Sequence, residues 1–303
     1  MKKVLIANRG EIAIRIARTC NDLGLKTVGI YSEDDANSLH LSKVDEAYKI
    51  DEKGAQAYLD IKEIIRIAKE SKADAIHPGY GFLSENSLFA SAAKRAKIKF
   101  IGPNERTLKI FGDKTSAKEL ASSLNIPVIA GTHEKTSIRK AQSFMKSLKK
   151  NSSVVIKAIS GGGGRGMRVV SKIDDLKESF DRAASEAKAS FDSPDLYLEE
   201  YLKHYRHIEF QIIGDGTGGV SHLHERECSI QRRHQKLIEI APSPSLDLEL
   251  KNKMVEASLA LTQKLKYEGL ATIEFLVNVE KNDYRFIECN PRLQVEHTVT
   301  ESV

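Results

Sequence analysis

No apolar run in this sequence approaches the roughly 20 residues a helix needs to cross a bilayer, which excludes a helical membrane span. The opening MKKVLIANRGE places only Val4, Leu5, Ile6 and Ala7 between Lys3 and Asn8. A secretory leader needs an apolar region of about 7–15 residues, so no signal peptide is read here. Cysteine is scarce: Cys20, Cys228 and Cys289 form an odd, widely separated set. That argues against a disulfide framework and for free thiols in a reducing, cytoplasmic compartment. No Cys/His spacing of the kind zinc requires occurs, which argues against a zinc site. Asn8-Arg9-Gly10 is not GxGxxG, and no GK[ST] follows the glycine run Gly161–Gly164, so both a dinucleotide fingerprint and a P-loop are absent. Charge of one sign is missing too. Lys plus Arg is 47 against 42 Asp plus Glu, a net charge of +5 spread along the chain. Such a balance suits anionic small molecules better than a polyanion, and no membrane surface or nucleic acid is expected as partner.

What is present is a chain of 303 residues, 41% hydrophobic, long enough for two or three packed α/β units. Val4 to Ala7 and Thr27 to Tyr31 read as strands. Between them Ile12, Ile16, Ala17, Cys20 and Leu23 recur at helical spacing up to Gly24, a C-terminal cap. A second unit follows, with a helix over about Gln56 to Lys69, a strand over Ala73 to His77 and the loop HPGYGFLSEN. A helix over Ser87 to Lys97 and a strand over Lys99 to Ile101 complete it. The pattern to about residue 111 is one doubly wound, Rossmann-like α/β domain.

Beyond Gly112 the βαβ rhythm gives way to hairpin signals. Val154 to Ala158 and Arg168 to Val170 read as strands around SGGGGRGM, with a helix over Asp174 to Ala189 next. His207 to Ile213 and Val220 to Glu225 form a hairpin about GDGTGG, and a long helix runs from about Leu246 to Leu265. In the last hairpin ATIEFLVN and YRFIECN flank EKND. Period-2 alternation then brings Glu274 and Glu288 roughly opposite each other, with Asn290 on the face of Glu288. The end after NPRLQVEHTVTESV reads as a cut through a larger domain.

Four features carry chemistry, each with a plainer alternative. The run Gly161–Gly164, preceded by Lys157, is either a flexible surface loop or a flap whose backbone N–H groups cover phosphates. Glu274, Glu288 and Asn290 form a hard-oxygen cluster that suits magnesium, or else a charged, solvent-facing strand. QRRHQK, Gln231 to Lys236, is a basic surface turn or a cluster for small anions; no aromatic interleaving supports nucleic acid. Arg292, Gln294 and Glu296 alternate, so in extended chain they point the same way. There an Arg fork matches a planar carbonate and a carboxylate takes its proton, unless the pair is simply structural.

Together KVLIANRGEIAIRI, HPGYGFLSEN, FIGP, GDK, VIKAISGGGGRGMRVV, ERECSIQRRHQK and FIECNPRLQVEHTVTE resemble the biotin carboxylase component of the biotin-dependent carboxylases, in the ATP-grasp superfamily. They lie in order across all 303 residues. The resemblance implies an N-terminal domain over 1–111 and an ATP-grasp domain over 112–303, truncated at its C-terminal side, with a mobile lid at about 130–203.

It further implies an ATP site in which Lys114 and Lys157 meet the phosphates and Gly163 and Gly164 close over them. Glu199, Glu200, Tyr201 and Leu202 would supply the adenine hinge; His207, Gln231 and His234 would contact the nucleotide, as would Glu274 and Glu288. Those two glutamates and Asn290 would ligate Mg2+ (or Mn2+). Lys236, Arg292, Gln294, Val295 and Glu296 would form the bicarbonate pocket, with Glu296 the base and Arg292 stabilising the enolate-like biotin. The implied activity is ATP-dependent carboxylation of carrier-bound biotin through carboxyphosphate. A biotin carboxyl carrier protein or domain, a carboxyltransferase component and a homodimer are the implied partners. The acceptor stays open among acetyl-CoA, propionyl-CoA, methylcrotonyl-CoA, pyruvate and urea. The alternative is a nucleotide-binding fragment without full carboxylase activity.

Overall fold

In the computed structural model, which describes residues 1–132, 134–149, 152–159, 167–232 and 235–303, the chain begins with β1 (Lys3–Ile6), α1 (Gly10–Asp22) and β2 (Lys26–Tyr31). The helix forms because Ile12, Ala13, Ile16, Ala17 and Cys20 fall on one buried face. It stops where Gly24 takes φ +68°, and Leu25 N–H returns to the Cys20 carbonyl at 2.8 Å. Next come β3 (Glu46–Lys49), α2 (Ile61–Glu70), β4 (Ala75–His77), α3 (Ser87–Arg95) and β5 (Lys99–Phe100). The five strands pair in parallel in the order β3-β2-β1-β4-β5, the doubly wound arrangement expected. Leu5, Val28, Ile30 and Ile76 face one apolar layer and Val4, Ile6 and Ala75 the other.

One expectation needs correction here, and one strand was not foreseen. The helix foreseen over Gln56 to Lys69 is two pieces, a 3-10 segment Gly54–Leu59 and then α2. Asp60 divides them: its backbone is extended (φ −80°, ψ 91°) and its carboxylate accepts from Glu63 N–H at 3.0 Å as an N-cap. β3 had no signal, because its residues EAYK alternate half-buried and exposed on a sheet edge, without an apolar run.

Helices α4 (Glu105–Gly112), α5 (Lys114–Ser123) and α6 (Ile138–Ser147) follow. Asn104, Asp113 and Ser137 cap their N-termini through side-chain oxygens, a signal present in the sequence but not used. Then β6 (Ser153–Ala158), β7 (Arg168–Val170), α7 (Leu176–Phe191) and β8 (Leu196–Tyr201) build a three-stranded antiparallel sheet ordered β7-β6-β8. The helix foreseen over 174–189 begins two residues later, behind a 3-10 turn at Ile173–Asp175.

The third sheet comprises β9 (Arg206–Asp215), β10 (Val220–Arg232), β11 (Gln235–Ile240), β12 (Glu268–Asn278) and β13 (Asp283–Asn290). They are antiparallel in the order β11-β10-β9-β12-β13. Between β11 and β12 lies α8 (Leu248–Lys264), and α9 (His297–Glu301) follows β13. Ile208, Phe210, Ile212, Ile273 and Phe275 point from this sheet into a core shared with Leu250, Met254 and Leu261 of α8. All three cysteines are buried and unpaired. Among the described residues, no helix is long and apolar enough to cross a membrane.

Candidate functional site

The face of the third sheet opposite α8 is polar, and strand periodicity makes it so. Along β9, Ile208, Phe210 and Ile212 go to the core, so His207, Glu209 and Gln211 project to the other side. Register then sets the neighbours. Glu274 of β12 lies opposite both Glu209 of β9 and Glu288 of β13, so three carboxylates stand in one row across adjacent strands. The next row is Gln211, Thr272 and Asn290. The sequence-predicted opposition of Glu274 and Glu288 is thus the observed pairing.

Like charges side by side on a sheet repel, so such a row needs compensation. Arg226 of β10, wholly buried, donates from Nε to Glu209 at 2.7 Å and from one terminal nitrogen to Gln211 at 3.0 Å and to Thr300 Oγ1 at 2.8 Å. Lys236 of β11 supplies the second cation. Its ammonium lies 2.5 Å from Glu209, 2.6 Å from Glu296 and 3.4 Å from Glu274. His207 Nε2 meets the other oxygen of Glu274 at 2.7 Å. Gln231 meets His207 Nδ1 at 2.8 Å and donates to the Cys228 carbonyl at 2.7 Å. Against burial, the Glu274 carboxylate raises the His207 pKa above its ordinary value, so Nε2 carries a proton and donates to Glu274.

These contacts set the protonation states. Burial pushes the Glu274 carboxyl up, but His207 and Lys236 outweigh it and hold it below the usual carboxylate range. Glu296 is likewise lowered against burial, by Lys236. Glu288 goes the other way, raised by burial and by the charge on Glu274, with Lys114 and Lys157 pulling against the rise. Lys236 is held firmly protonated by Glu274 and Glu209 despite its burial.

Three groups of His and carboxylate atoms converge at His207, Glu209 and Glu274, within 4.8 Å of one another. All three are engaged: both Glu209 oxygens with Arg226 and Lys236, both His207 nitrogens with Gln231 and Glu274, and Glu274 with His207, Asn290 and Lys236. Glu274 and Glu288, opposite each other on adjacent strands, are the hard-oxygen pair of the row. Their mutual repulsion is what a divalent cation relieves, so the donor set fits magnesium. Asn290, expected as a third ligand, donates from Nδ2 to Glu274 at 2.7 Å, and its carbonyl oxygen accepts from Arg292 at 3.4 Å.

A second cluster lies on the small sheet. Val155 and Lys157 of β6 pair with Glu199 and Tyr197 of β8. Lys157 donates to one oxygen of the buried Glu199 at 2.5 Å, and Lys118 of α5 pairs with the other. Of the expected hinge, Glu199, Glu200 and Tyr201 end β8, with Leu202 just after it. Glu199 turns inward, whereas Glu200 accepts from Ser152 Oγ at 3.1 Å and Tyr201 is exposed. Gly163, Gly164 and His234 lie outside the described residues.

The segment after β13 corrects one expectation. It is not extended: Glu296 has φ −78°, ψ 7° and sits in a turn that caps α9, so Arg292, Gln294 and Glu296 do not share a face by alternation. Glu296 turns to Lys236. With its amide set so that both ends are satisfied, Gln294 donates to Glu296 at 2.6 Å and accepts from Asn290 at 3.0 Å and Thr272 at 3.1 Å. Arg292 instead reaches Glu85 at 2.6 Å, and Val295 is exposed. Sequence reasoning missed Glu209, Arg226, Lys118 and Glu85. The first was legible in HIEFQI, where polar residues alternate strictly with apolar ones.

A doubly wound unit followed by two antiparallel sheets, with Lys157 on the small one and carboxylates on the large one, defines an ATP-grasp architecture. Residues 113–303 match the family described as "Carbamoyl-phosphate synthase L chain, ATP binding domain", and residues 1–108 match "Biotin carboxylase, N-terminal domain". The chain belongs to the biotin carboxylase family. It is 50% identical to the pyruvate carboxylase of Bacillus subtilis and 49% to human mitochondrial pyruvate carboxylase, each alignment covering 100% of this chain and 26% of the relative. The chain therefore spans about a quarter of the length of those relatives. Among solved structures it superposes on a Campylobacter jejuni biotin carboxylase complexed with "beta-gamma-ATP" (TM-score 0.94, 43% identity, 100% of this chain, 68% of that one). It also superposes on the biotin carboxylase domain dimer of Hydrogenobacter thermophilus 2-oxoglutarate carboxylase, a complex with MgADP, ADP and bicarbonate. There the TM-score is 0.93 and the identity 42%, over 100% of this chain and 66% of that one.

Proposed function

We propose that this chain carries out the ATP- and bicarbonate-dependent half-reaction that carboxylates carrier-bound biotin. The observation that carries the reading is the position of Lys236, whose ammonium touches Glu296 and Glu274 at once. That atom joins the expected bicarbonate base to the expected cation ligand, so an anion bound there lies beside the phosphate-transfer site.

In this reading residues 1–111 form the N-terminal domain and 112–303 the ATP-grasp domain, with 130–203 the lid. Lys114 and Lys157 bind the nucleotide phosphates, and Glu199 to Leu202 together with His207, Gln231 and His234 hold the rest of the nucleotide. Lys236, Arg292, Gln294 and Val295 hold bicarbonate. Glu296, ionised because Lys236 lowers it, takes the bicarbonate proton. A bicarbonate oxygen then attacks the γ-phosphorus, ADP leaves, and carboxyphosphate breaks into carbon dioxide and phosphate. The phosphate takes the ureido proton as the carbon–nitrogen bond to biotin forms, with Arg292 beside the developing negative oxygen. A magnesium ion held by Glu274 and Glu288 supplies charge neutralisation for the phosphoryl group.

A biotin carboxyl carrier and a carboxyltransferase are the partners this chemistry requires. A homodimer is supported by the dimeric solved relative, and pyruvate is favoured as acceptor by the pyruvate carboxylases among the relatives. The test is phosphate release from Mg-ATP with and without bicarbonate, then with free biotin. Release that requires bicarbonate and rises with biotin supports the reading. Tight nucleotide binding without such release replaces it with a nucleotide-binding unit that lacks the carboxylation step.

A further inference from the structure

Lys157 and Lys118 share a single carboxylate, and they differ in how far each is shut away. The Glu199 side chain is 2% exposed, Lys118 6% and Lys157 21%. Lys118 comes from α5, whose Ala117 and Ala121 pack into the core of the third sheet, and its ammonium is closed in by Glu199 and, 5.8 Å away, by the ring of Tyr197. Lys157 reaches the same carboxylate from β6, and its greater exposure makes it the more accessible of the two. Two lysines thus crowd one carboxylate; burial and neighbouring lysine charge lower Lys118 to about 7 and Lys157 to about 8, and only Lys157 has the exposure to turn outward.

We propose that Lys118 is a positioning residue of the nucleotide site, the fixed counter-ion that keeps Glu199 compensated when Lys157 turns to a phosphate. The inference rests on the nucleotide reading of Lys157 given above. A buried carboxylate abandoned by its only cation is costly, far more so than an exposed one. With Lys118 in place, Lys157 can exchange one Glu199 oxygen for a phosphate oxygen and leave a neutral Lys118–Glu199 pair behind. Without Lys118, the Lys157–Glu199 pair closes on itself, and binding a nucleotide means breaking it. The residue thus raises nucleotide affinity without touching the nucleotide.

The test is Mg-ADP binding by titration calorimetry on the intact protein, comparing wild type with K118M, which keeps the chain length, and K118R, which keeps the charge. We expect K118M to raise Kd tenfold or more and K118R to stay within threefold of wild type. In an E199Q background no carboxylate remains to be stranded, so adding K118M there should cost less than threefold. A K118M Kd within twofold of wild type overturns the proposal. So does an equal loss in both backgrounds, which is what mere packing would give. If K118M alone fails to fold, E199Q against K118M/E199Q decides, and a tenfold loss there overturns it. A wild-type protein that binds no Mg-ADP overturns both this inference and the reading beneath it, whereas binding that ignores residue 118 overturns this one alone.

Discussion

Arg292 donates from Nε to Glu85 at 2.6 Å across 207 residues of sequence, tying the segment after β13 to the loop after β4. The rest of the guanidinium is held from its own side, by the Leu293 carbonyl at 3.2 Å and Asn290 Oδ1 at 3.4 Å. The loop HPGYGFLSEN leaves the parallel sheet at β4, beside β1 where the strand order reverses, the edge at which open α/β sheets present binding groups. Glu85 thereby brings the first sheet to bear on a residue proposed to hold bicarbonate.

Glu85→Gln should separate positioning from stability. The pair is 22% and 38% exposed, so its loss should cost no more than about 1 kcal/mol of stability. Steady-state kinetics should show the KM for bicarbonate rising several-fold while Mg-ADP affinity is unchanged. A variant with unaltered bicarbonate dependence would show the contact to be structural only.

Lys236 is the joint of the site, and its removal should show in two ways. Lys236→Met leaves Glu209, Glu274 and Glu296 without their shared cation, and stranding buried carboxylates typically costs about 3–5 kcal/mol. Bicarbonate-dependent phosphate release should vanish. Lys236→Arg keeps the charge, so it should recover most of the thermal stability but not the turnover, since a planar fork cannot meet three carboxylates placed around one ammonium. Differential scanning calorimetry beside phosphate release checks both halves.

Four of the five strands of the parallel sheet were legible from apolar runs and helical spacing, β3 being the exception, and the Glu274–Glu288 opposition because a hairpin with a short polar turn has little freedom of register. What escaped depended on tertiary position. Arg226 reads as one more charge in HERE until β10 is seen to bury it between Glu209 and Gln211. Nothing in KTSAKELASS says that Lys118 faces Glu199. Alternation failed after Asn290 because the chain turns there, and a period-2 argument holds only where the backbone is extended.

Removing one carboxylate from the row should relieve repulsion and cost function. Glu288 is raised by burial and by Glu274. Glu288→Gln should therefore leave the thermal midpoint without magnesium unchanged or higher by about 1–3 °C, roughly the shift for a relief of under 1 kcal/mol. The extra stabilisation that wild type gains from magnesium plus nucleotide should fall in the variant. Melting curves with and without Mg-ADP decide it; a lower metal-free midpoint contradicts the repulsion.

Acid should loosen the N-terminal sheet through Asp35. Its carboxyl accepts from Tyr58 at 2.7 Å, Arg9 at 3.0 Å and Ser32 at 3.0 Å, and these outweigh burial to hold it at about 2. A carboxyl whose folded value lies below the unfolded one stabilises fully above the unfolded value, near 3.9. That stability is lost as pH falls from there through about 2. With solvent screening the contribution is on the order of 1 kcal/mol. Urea midpoints from pH 6 down to pH 3 should fall less steeply in Asp35→Asn, which starts lower and has no such charge to lose.

Gly79 and Gly81 stand two residues apart in the same loop, both with φ +66°, yet they should respond differently to alanine. A Cβ on Gly81 meets nothing within 4 Å, so Gly81→Ala costs only the left-handed backbone, about 1 kcal/mol. A Cβ on Gly79 would stand 2.7 Å from Asn8 Nδ2, which is buried and donates to the Pro78 carbonyl at 2.7 Å and the Tyr80 carbonyl at 2.8 Å. That amide is the tie between the β1 turn and the loop that carries Glu85, so it cannot move aside without breaking its bonds. Gly79→Ala should then cost the backbone penalty plus about 1–2 kcal/mol for the displaced hydrogen bonds. It should also raise the KM for bicarbonate as Glu85→Gln does. Equal losses of stability for the two glycine variants, measured by urea denaturation, would show that Asn8 yields and that the tie between the two loops is slack.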